Sequence, residues 1–120
     1  MRDKLLAVLC GLTFSAMACA SGEAGLSAVR DLGRLNGLTL ACGQKEAASW
    51  VRVLMLNHSP KTRPYGEAYE EGTQEAFVAH GRGTPCPTSV ELADRLEAVT
   101  QRLKTALPAS TIGLRPNRSA

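Results

Sequence analysis

Two cysteines far apart in the sequence, Cys42 and Cys86, place the strongest constraint on how this chain folds. A disulfide between them would close a loop of about 45 residues, and the chain-entropy model values that constraint at roughly 4 kcal/mol. Redox-active cysteine pairs are usually close in sequence, as in Cys-x-x-Cys, and Cys42 and Cys86 do not have this spacing. A structural disulfide is therefore predicted. Such a bridge fits an exported protein, because the periplasm and the space outside the cell are oxidising.

The N-terminus independently predicts export. Arg2 and Lys4 precede an apolar run from Leu5 to Phe14, and small residues follow as far as Ala20. This order is typical of a secretory signal peptide cleaved after residue 20. An apolar run of about ten residues is half of what a membrane-spanning helix needs, so no transmembrane anchor is expected. The alternative, a buried N-terminal helix, conflicts with the abrupt change to polar residues after Ala20.

A second cleavage frame, after Ala18, would make Cys19 the lipidated first residue of a lipoprotein. Bacterial lipoprotein signals usually carry leucine three residues before that cysteine, and this chain has Ala16 there. Cleavage after Ala20 is therefore preferred over a lipid anchor. It also removes Cys19, which leaves an even pair of cysteines in the exported domain.

Apolar residues that recur every three or four positions predict an all-α fold, a small four-helix bundle closed by the Cys42–Cys86 disulfide. The predicted helices cover residues 24–42, 44–58 and 65–80, and a fourth runs to about residue 107. Gly43 is a natural end for the first helix, and Thr88 with Glu91 resembles a capping box before the fourth. The predicted organisation is a signal peptide at 1–20, a helical domain at 21–108 and a disordered tail at 109–120.

Glycines inside the first predicted helix need an explanation, because each costs about 1 kcal/mol relative to alanine. Gly33 and Gly37 lie one turn apart, which predicts close backbone approach by another helix. The competing interpretation is a hairpin turn at Asn36-Gly37. Residues on either side of that dipeptide alternate poorly between apolar and polar, so the helix is favoured.

The second predicted helix is apolar on more than one side, since Val53 and Leu56 lie off its main apolar face. Such a helix is either central in the bundle or covers a partner. Aromatic residues of the second and third helices would either pack in the core or line a groove with arginines at its rim. The candidate partner-binding residues are Trp50, Val53, Leu56, Arg63, Tyr65, Tyr69 and Arg82.

The sequence contains no pattern typical of a nucleophile, a phosphate loop or covalent haem attachment. His58 and His80 end two different helices, and with a helix-three glutamate they are the candidate residues of a small metal-dependent hydrolase. Zinc needs three or four ligands, and the paired cysteines are not available as thiolates. Glu71 and Glu75 are predicted on a solvated face. No catalytic residue, metal ligand or cofactor is therefore assigned.

The charge balance is nearly even, at 14 Lys and Arg against 11 Asp and Glu. The basic residues are scattered and aromatic residues are few, so no nucleic-acid partner is expected. The expected function is that of an exported accessory or protein-binding module whose partner is another envelope or secreted protein. A variant of this function is an inhibitor of the immunity type, directed against a toxin enzyme.

The order LACG…W…M…YG…YEEGT…AF…C resembles a family of small exported two-cysteine helical proteins of Gram-negative bacteria. The residues concerned are Leu40, Ala41, Cys42, Gly43, Trp50, Met55, Gly72, Phe77 and Cys86. The resemblance covers roughly residues 32–104 and departs where GRGTP is inserted before Cys86. It implies a compartment and a two-cysteine helical fold, and no activity is established for the family.

We predict that the exported protein begins at Ser21, because the small residues before it form the better cleavage frame. Intact-mass spectrometry of protein recovered from the envelope fraction measures this directly. A mass lacking residues 1–20 is expected, whereas a lipid-modified Cys19 at the N-terminus would establish the second frame. Folded protein that retains Met1 in the cytosol would contradict export.

Overall fold

The computed structural model describes residues 15–109, with side chains from residue 22 onward. Its helices are α1 (Ser15–Ala41), α2 (Lys45–His58), α3 (Arg63–Gly81) and α4 (Ser89–Ala106). No strand occurs in this part of the chain, so the all-α prediction is confirmed. None of these helices is long and apolar enough to cross a membrane. Residues 1–14 of the predicted signal peptide and 110–120 of the predicted tail lie outside the described residues, as does the side chain of Cys19.

Two helices begin earlier than the sequence pattern predicts. Helix α1 begins at Ser15 rather than at residue 24, and it continues through the predicted cleavage site after Ala20. Alanine is the best helix former and is frequent in this stretch. Helix α3 begins at Arg63 rather than at residue 65. Pro64 is accommodated because the first helical turn does not use its missing N–H.

The helix ends form as their sequences predict. Helix α1 ends at Ala41, and Gly43 in the turn after it has a φ of +69°. The backbone N–H of Gln44 donates to the Thr39 carbonyl at 2.8 Å. At the start of α4, the Thr88 hydroxyl accepts from the Glu91 backbone N–H at 3.2 Å. The Glu91 carboxylate in turn accepts from the Thr88 backbone N–H at 2.9 Å. The predicted C-terminal glycine and capping box are both confirmed.

Helix α1 is the element against which the other three pack. It contacts α2, α3 and α4, whereas α3 packs mainly on α1. Helices α1 and α3 run in the same direction, because Gly33 and Gly37 of α1 meet Tyr69 and Thr73 of α3 in the same order. Four apolar side chains of α1 form the centre of the core together with residues of α2 and α4. The buried apolar residues are Val29, Leu32, Leu35, Leu38, Val51, Leu54, Leu92, Val99 and Leu103, with Ala28, Ala48 and Ala68 between them.

Glycine allows α1 and α3 to meet backbone to backbone. A Cβ atom added at Gly33 would collide with the Tyr69 carbonyl oxygen of α3, and one added at Gly37 would collide with the next turn of that helix. From the opposite side, a Cβ atom on Gly72 would collide with the Arg30 carbonyl oxygen. The predicted close approach is therefore confirmed. The alternative hairpin turn at Gly37 is absent, because that residue lies inside α1.

The disulfide joins the end of α1 to the segment before α4. Cys42 and Cys86 are bonded, with their Cα atoms 5.8 Å apart. Cys42 is half-buried and packs against the core, whereas Cys86 is exposed in the connection between α3 and α4. The predicted pairing is confirmed. It fixes α4 to α1 at one end of the bundle.

We predict that Gly37→Ala destabilises the fold by about 2 kcal/mol or more. The added methyl group meets backbone, which cannot rotate away as a side chain can, and overpacking of this kind commonly costs about 1–3 kcal/mol. Chemical denaturation measures the effect. The matched control is Gly66→Ala in the first turn of α3, where an added Cβ meets nothing within 4 Å. That control should be neutral or stabilising, because alanine favours helix. Equal stability of the two variants would contradict the close approach.

Candidate functional site

The outer face of α2 carries three exposed apolar side chains. Trp50, Val53 and Leu56 are 56%, 40% and 60% exposed. Successive members are three residues apart, so they are neighbours on the helix surface and form a continuous ridge. We call these three residues the α2 ridge.

Trp50 lies outside the core, unlike Val51 and Leu54 of the same helix. Those two side chains are almost fully buried and occupy the centre of the core face of α2. Trp50 lies at the edge of that face, where α2 meets the first half of α4. It borders a hollow of about 410 Å³ whose α4 side includes Leu92 and Leu96. The α2 ridge therefore has a concave surface next to it.

The two tyrosines of the candidate set lie on α3 and are half-buried against the core. An added Cβ at Gly25 of α1 would lie 2.7 Å from the Tyr65 hydroxyl oxygen, which shows that Tyr65 packs on α1. Burial raises the pKa of the Tyr69 hydroxyl, and the positive charge of Arg52 acts in the opposite direction. Neither tyrosine is among the residues that line the hollow beside Trp50. The structure therefore assigns the tyrosines to helix packing.

The two arginines predicted at the rim of one groove lie at opposite ends of α3. Arg63 begins the helix and Arg82 follows its last residue. At 1.5 Å per residue these positions are roughly 28 Å apart along the helix axis. The structure does not bring them to a shared rim, so the seven candidate residues separate into the α2 ridge, the packed tyrosines and two distant arginines.

The two histidines also lie far apart. The Nδ1 atom of His58 is 2.7 Å from the Leu107 carbonyl oxygen, a contact that joins the ends of α2 and α4. The Nδ1 atom of His80 is 3.0 Å from the Thr84 carbonyl oxygen at the far end of α3. The length of α3 separates them by roughly 25 Å. A hydrolytic site that uses both histidines is not assembled by this arrangement.

His80 instead lies beside the disulfide. One ligand atom of its ring is within 4.8 Å of the sulfur atoms of Cys42 and Cys86. This spacing resembles that of a metal-ligand set, but zinc binds thiolates. Both sulfur atoms are used in the disulfide. The arrangement therefore places a titratable ring against a covalent cross-link.

A cleft that the sequence did not predict lies between α3 and α4, with α1 as its floor. Its volume is about 300 Å³. The lining combines charged groups with small or aliphatic side chains, and we call it the arginine cleft. Its residues are Asp31, Arg34, Leu35 and Leu38 of α1, Ala76 and His80 of α3, and Arg95, Ala98, Val99 and Arg102 of α4.

Asp31 organises the charges at the edge of this cleft. Its Oδ1 atom is 2.9 Å from Nη1 of Arg34 on α1, and its Oδ2 atom is 2.6 Å from Nη1 of Arg102 on α4. Each carboxylate oxygen therefore pairs with an arginine of a different helix. Arg34 is also 3.3 Å from Glu75 of α3. The hydrogen bond to Glu75 is the main reason why the pKa of Arg34 is raised above its ordinary value.

The acidic residues of α3 do not all face away from the helix interface. Glu75 pairs with Arg34, and Glu71 pairs with Arg30 of α1 at 3.3 Å. Both carboxylates remain largely exposed, at 61% and 65%. The two glutamates are exposed to solvent, as predicted. They also flank the close contact with α1, which the sequence did not predict.

No protein-family model matches the chain, and neither a curated protein nor a solved structure does. The resemblance to exported two-cysteine helical proteins therefore stays a prediction. Among the described residues, the α2 ridge offers apolar contact area and the arginine cleft offers cationic hydrogen-bond donors. The first is suited to a protein surface and the second to an anion.

We predict that Asp31→Asn destabilises the fold by about 1 kcal/mol, because a mostly buried carboxylate then no longer holds two guanidinium groups. The control is Asp94→Asn on α4, an exposed carboxylate with no ion pair among residues 22–109. Thermal unfolding at low and high salt compares them. A lower melting temperature for the Asp31 variant alone, with a difference that shrinks in high salt, is expected. Equal melting temperatures would show that the pairs contribute nothing.

Proposed function

We propose that this chain is exported to the periplasm or the cell exterior and acts there by binding another envelope or secreted protein through the α2 ridge. The observation that carries the proposal is the exposure of Trp50, Val53 and Leu56 on one face of one helix. Single exposed apolar residues are ordinary, whereas a contiguous group marks an interaction surface.

The composition of the α2 ridge fits a protein interface. Tryptophan is enriched among the residues that contribute most to binding, and aliphatic neighbours exclude water around it. Full burial of a side chain of the size of Val53 or Leu56 contributes about 1.5–3 kcal/mol. Arg52 is exposed beside them, and arginine, like tryptophan, is enriched at protein interfaces. A partner side chain inserted into the hollow beside Trp50 would extend the contact onto α4.

The proposed compartment is supported by two independent features. The Cys42–Cys86 disulfide is of the kind that forms and persists in oxidising surroundings. The N-terminal sequence has the charged, apolar and small-residue segments of a secretory signal. A bundle with one cross-link and an exposed apolar ridge is consistent with an accessory protein that works by contact.

We predict that Val53→Glu and Leu56→Glu each weaken partner binding at least about tenfold, since a charge would be buried against apolar surface. The partner is identified by cross-linking in intact cells, and its affinity for purified variants is then measured. Val78→Glu is the matched control, because Val78 is also on a helix, α3, and is 39% exposed where Val53 is 40% exposed.

All three substitutions are at exposed positions and should leave the unfolding free energy within about 0.5 kcal/mol. Loss of binding in the two α2 variants, with binding retained in the Val78 variant, is the expected result. If the Val53 variant captures the same partner with unchanged affinity, the α2 ridge is not the contact surface.

A further inference from the structure

The arginine cleft is a separate feature, on a different side of α1 from the α2 ridge. Its floor is apolar, formed by Leu35 and Leu38 of α1. Its walls carry alanines where α3 and α4 face each other, Ala76 on one side and Ala98 on the other. Two small side chains at facing positions leave the hollow unfilled.

The positive charge of the cleft is only partly neutralised within the protein. Arg34 is paired with both Asp31 and Glu75. Arg102 is paired with Asp31 alone, and it is 58% exposed. Arg95 has no ion-pair partner among residues 22–109. Within the described part of the chain, no carboxylate other than Asp31 lines the cleft, so the lining carries a surplus of guanidinium groups.

The two arginines of α4 are well placed to act together. Arg95 and Arg102 are two helical turns apart on one face, roughly 10 Å along the axis, with Ala98 between them. A guanidinium presents several N–H donors in one plane and binds carboxylate or phosphate oxygens in a bidentate manner. Asp31 holds Arg102 in position at 2.6 Å through one carboxylate oxygen, which leaves other donors of Arg102 without a partner among residues 22–109.

We propose that the arginine cleft binds a small organic anion, with its carboxylate or phosphate head between Arg95 and Arg102 and its apolar body over Leu35, Leu38 and Val99. A volume of about 300 Å³ is at the lower end of ligand pockets, which favours a small molecule over a segment of another protein. An apolar lining with a few converging polar groups is the usual composition of such a site.

The test uses the oxidised full-length chain and four probes in low salt. Hexanoate and hexyl phosphate carry the proposed chemistry, hexanamide lacks the charge, and inorganic phosphate lacks the apolar body. Amide chemical shifts follow each titration. Saturable shifts at Leu38 and Val99 are expected with the two organic anions, and affinities at least about tenfold lower with the other two probes. Whichever organic anion binds more tightly identifies the head group.

Variants locate the binding. Arg95→Gln removes the unpaired guanidinium and should weaken binding of the organic anion at least about tenfold. Ala98→Leu fills the hollow without changing any charge and should abolish binding. Arg63→Gln removes an exposed arginine at the start of α3, far from the cleft, and should have no effect.

Three results would overturn the proposal. The first is unchanged hexanoate and hexyl phosphate affinity in both the Arg95 and the Ala98 variants. The second is equal affinity for inorganic phosphate, which would indicate attraction to charge alone. The third is a set of shifts centred on Trp50 instead of the cleft, which would place the probe on the α2 ridge. Binding in the cleft and partner capture by the ridge use different residues, so either can fail without the other.

Discussion

The contact between the backbones of α1 and α3 is the constraint from which the rest of this bundle follows. In a square arrangement of four antiparallel helices, the first and third are diagonal and are kept apart by side chains. Here Gly33 and Gly37 on one helix and Gly72 on the other remove those side chains at the crossing. The two parallel helices therefore touch directly, and α1 becomes the element that every other helix contacts. Helix dipoles aligned in parallel oppose such a pairing weakly, and the Arg30–Glu71 and Arg34–Glu75 pairs flank it with opposite charges.

That arrangement also determines which surfaces stay open. Because α3 lies close to α1, Ala68 is its one buried apolar side chain, and its two tyrosines are half-buried against the core. The other buried apolar side chains come from α1, α2 and α4. One side of α2 packs into this core, whereas Trp50, Val53 and Leu56 remain exposed. The gap between α3 and α4 is bordered by alanines and arginines. The apolar ridge and the cationic cleft are thus two consequences of one crossing geometry.

Local sequence signals predicted the helices and their ends well, but not how side chains from different helices combine into surfaces. The capping box at Thr88, the glycine end at Gly43 and the Cys42–Cys86 pair each depend on a few residues with one dominant geometry. The glycine spacing in α1 even predicted a close helix crossing, although not that α3 would be the partner. The exposure of Trp50 could not be decided from the sequence, because a helical wheel gives the direction of a side chain and not the width of the face that neighbours cover.

The arginine cleft could not be found from the sequence for a related reason. Its charged residues belong to three helices, and each arginine alone resembles an ordinary solvated side chain. The spacing of Arg95, Ala98 and Arg102 was the one available signal, since it places two cations and a small residue on one helix face. That signal has meaning only once α1 supplies an apolar floor and α3 supplies a second wall. A cleft formed by side chains of three helices depends on tertiary packing, so the sequence of a single helix does not reveal it.

The position of His80 connects the cross-link to the cleft. Its ring is next to the sulfur atoms of Cys42 and Cys86 and also lines the wall of the cleft. The segment that leads from α3 to α4 is non-helical and is bonded to the end of α1 through Cys86. The disulfide therefore limits how far α3 and α4 can separate. With the thiols free, the connecting segment 82–88 would be the one covalent link between α4 and the other described helices. The separation of α3 and α4 would then be set by packing and ion pairs alone, so the proposed anion binding would depend on the oxidation state of a bond outside the residues that touch the anion.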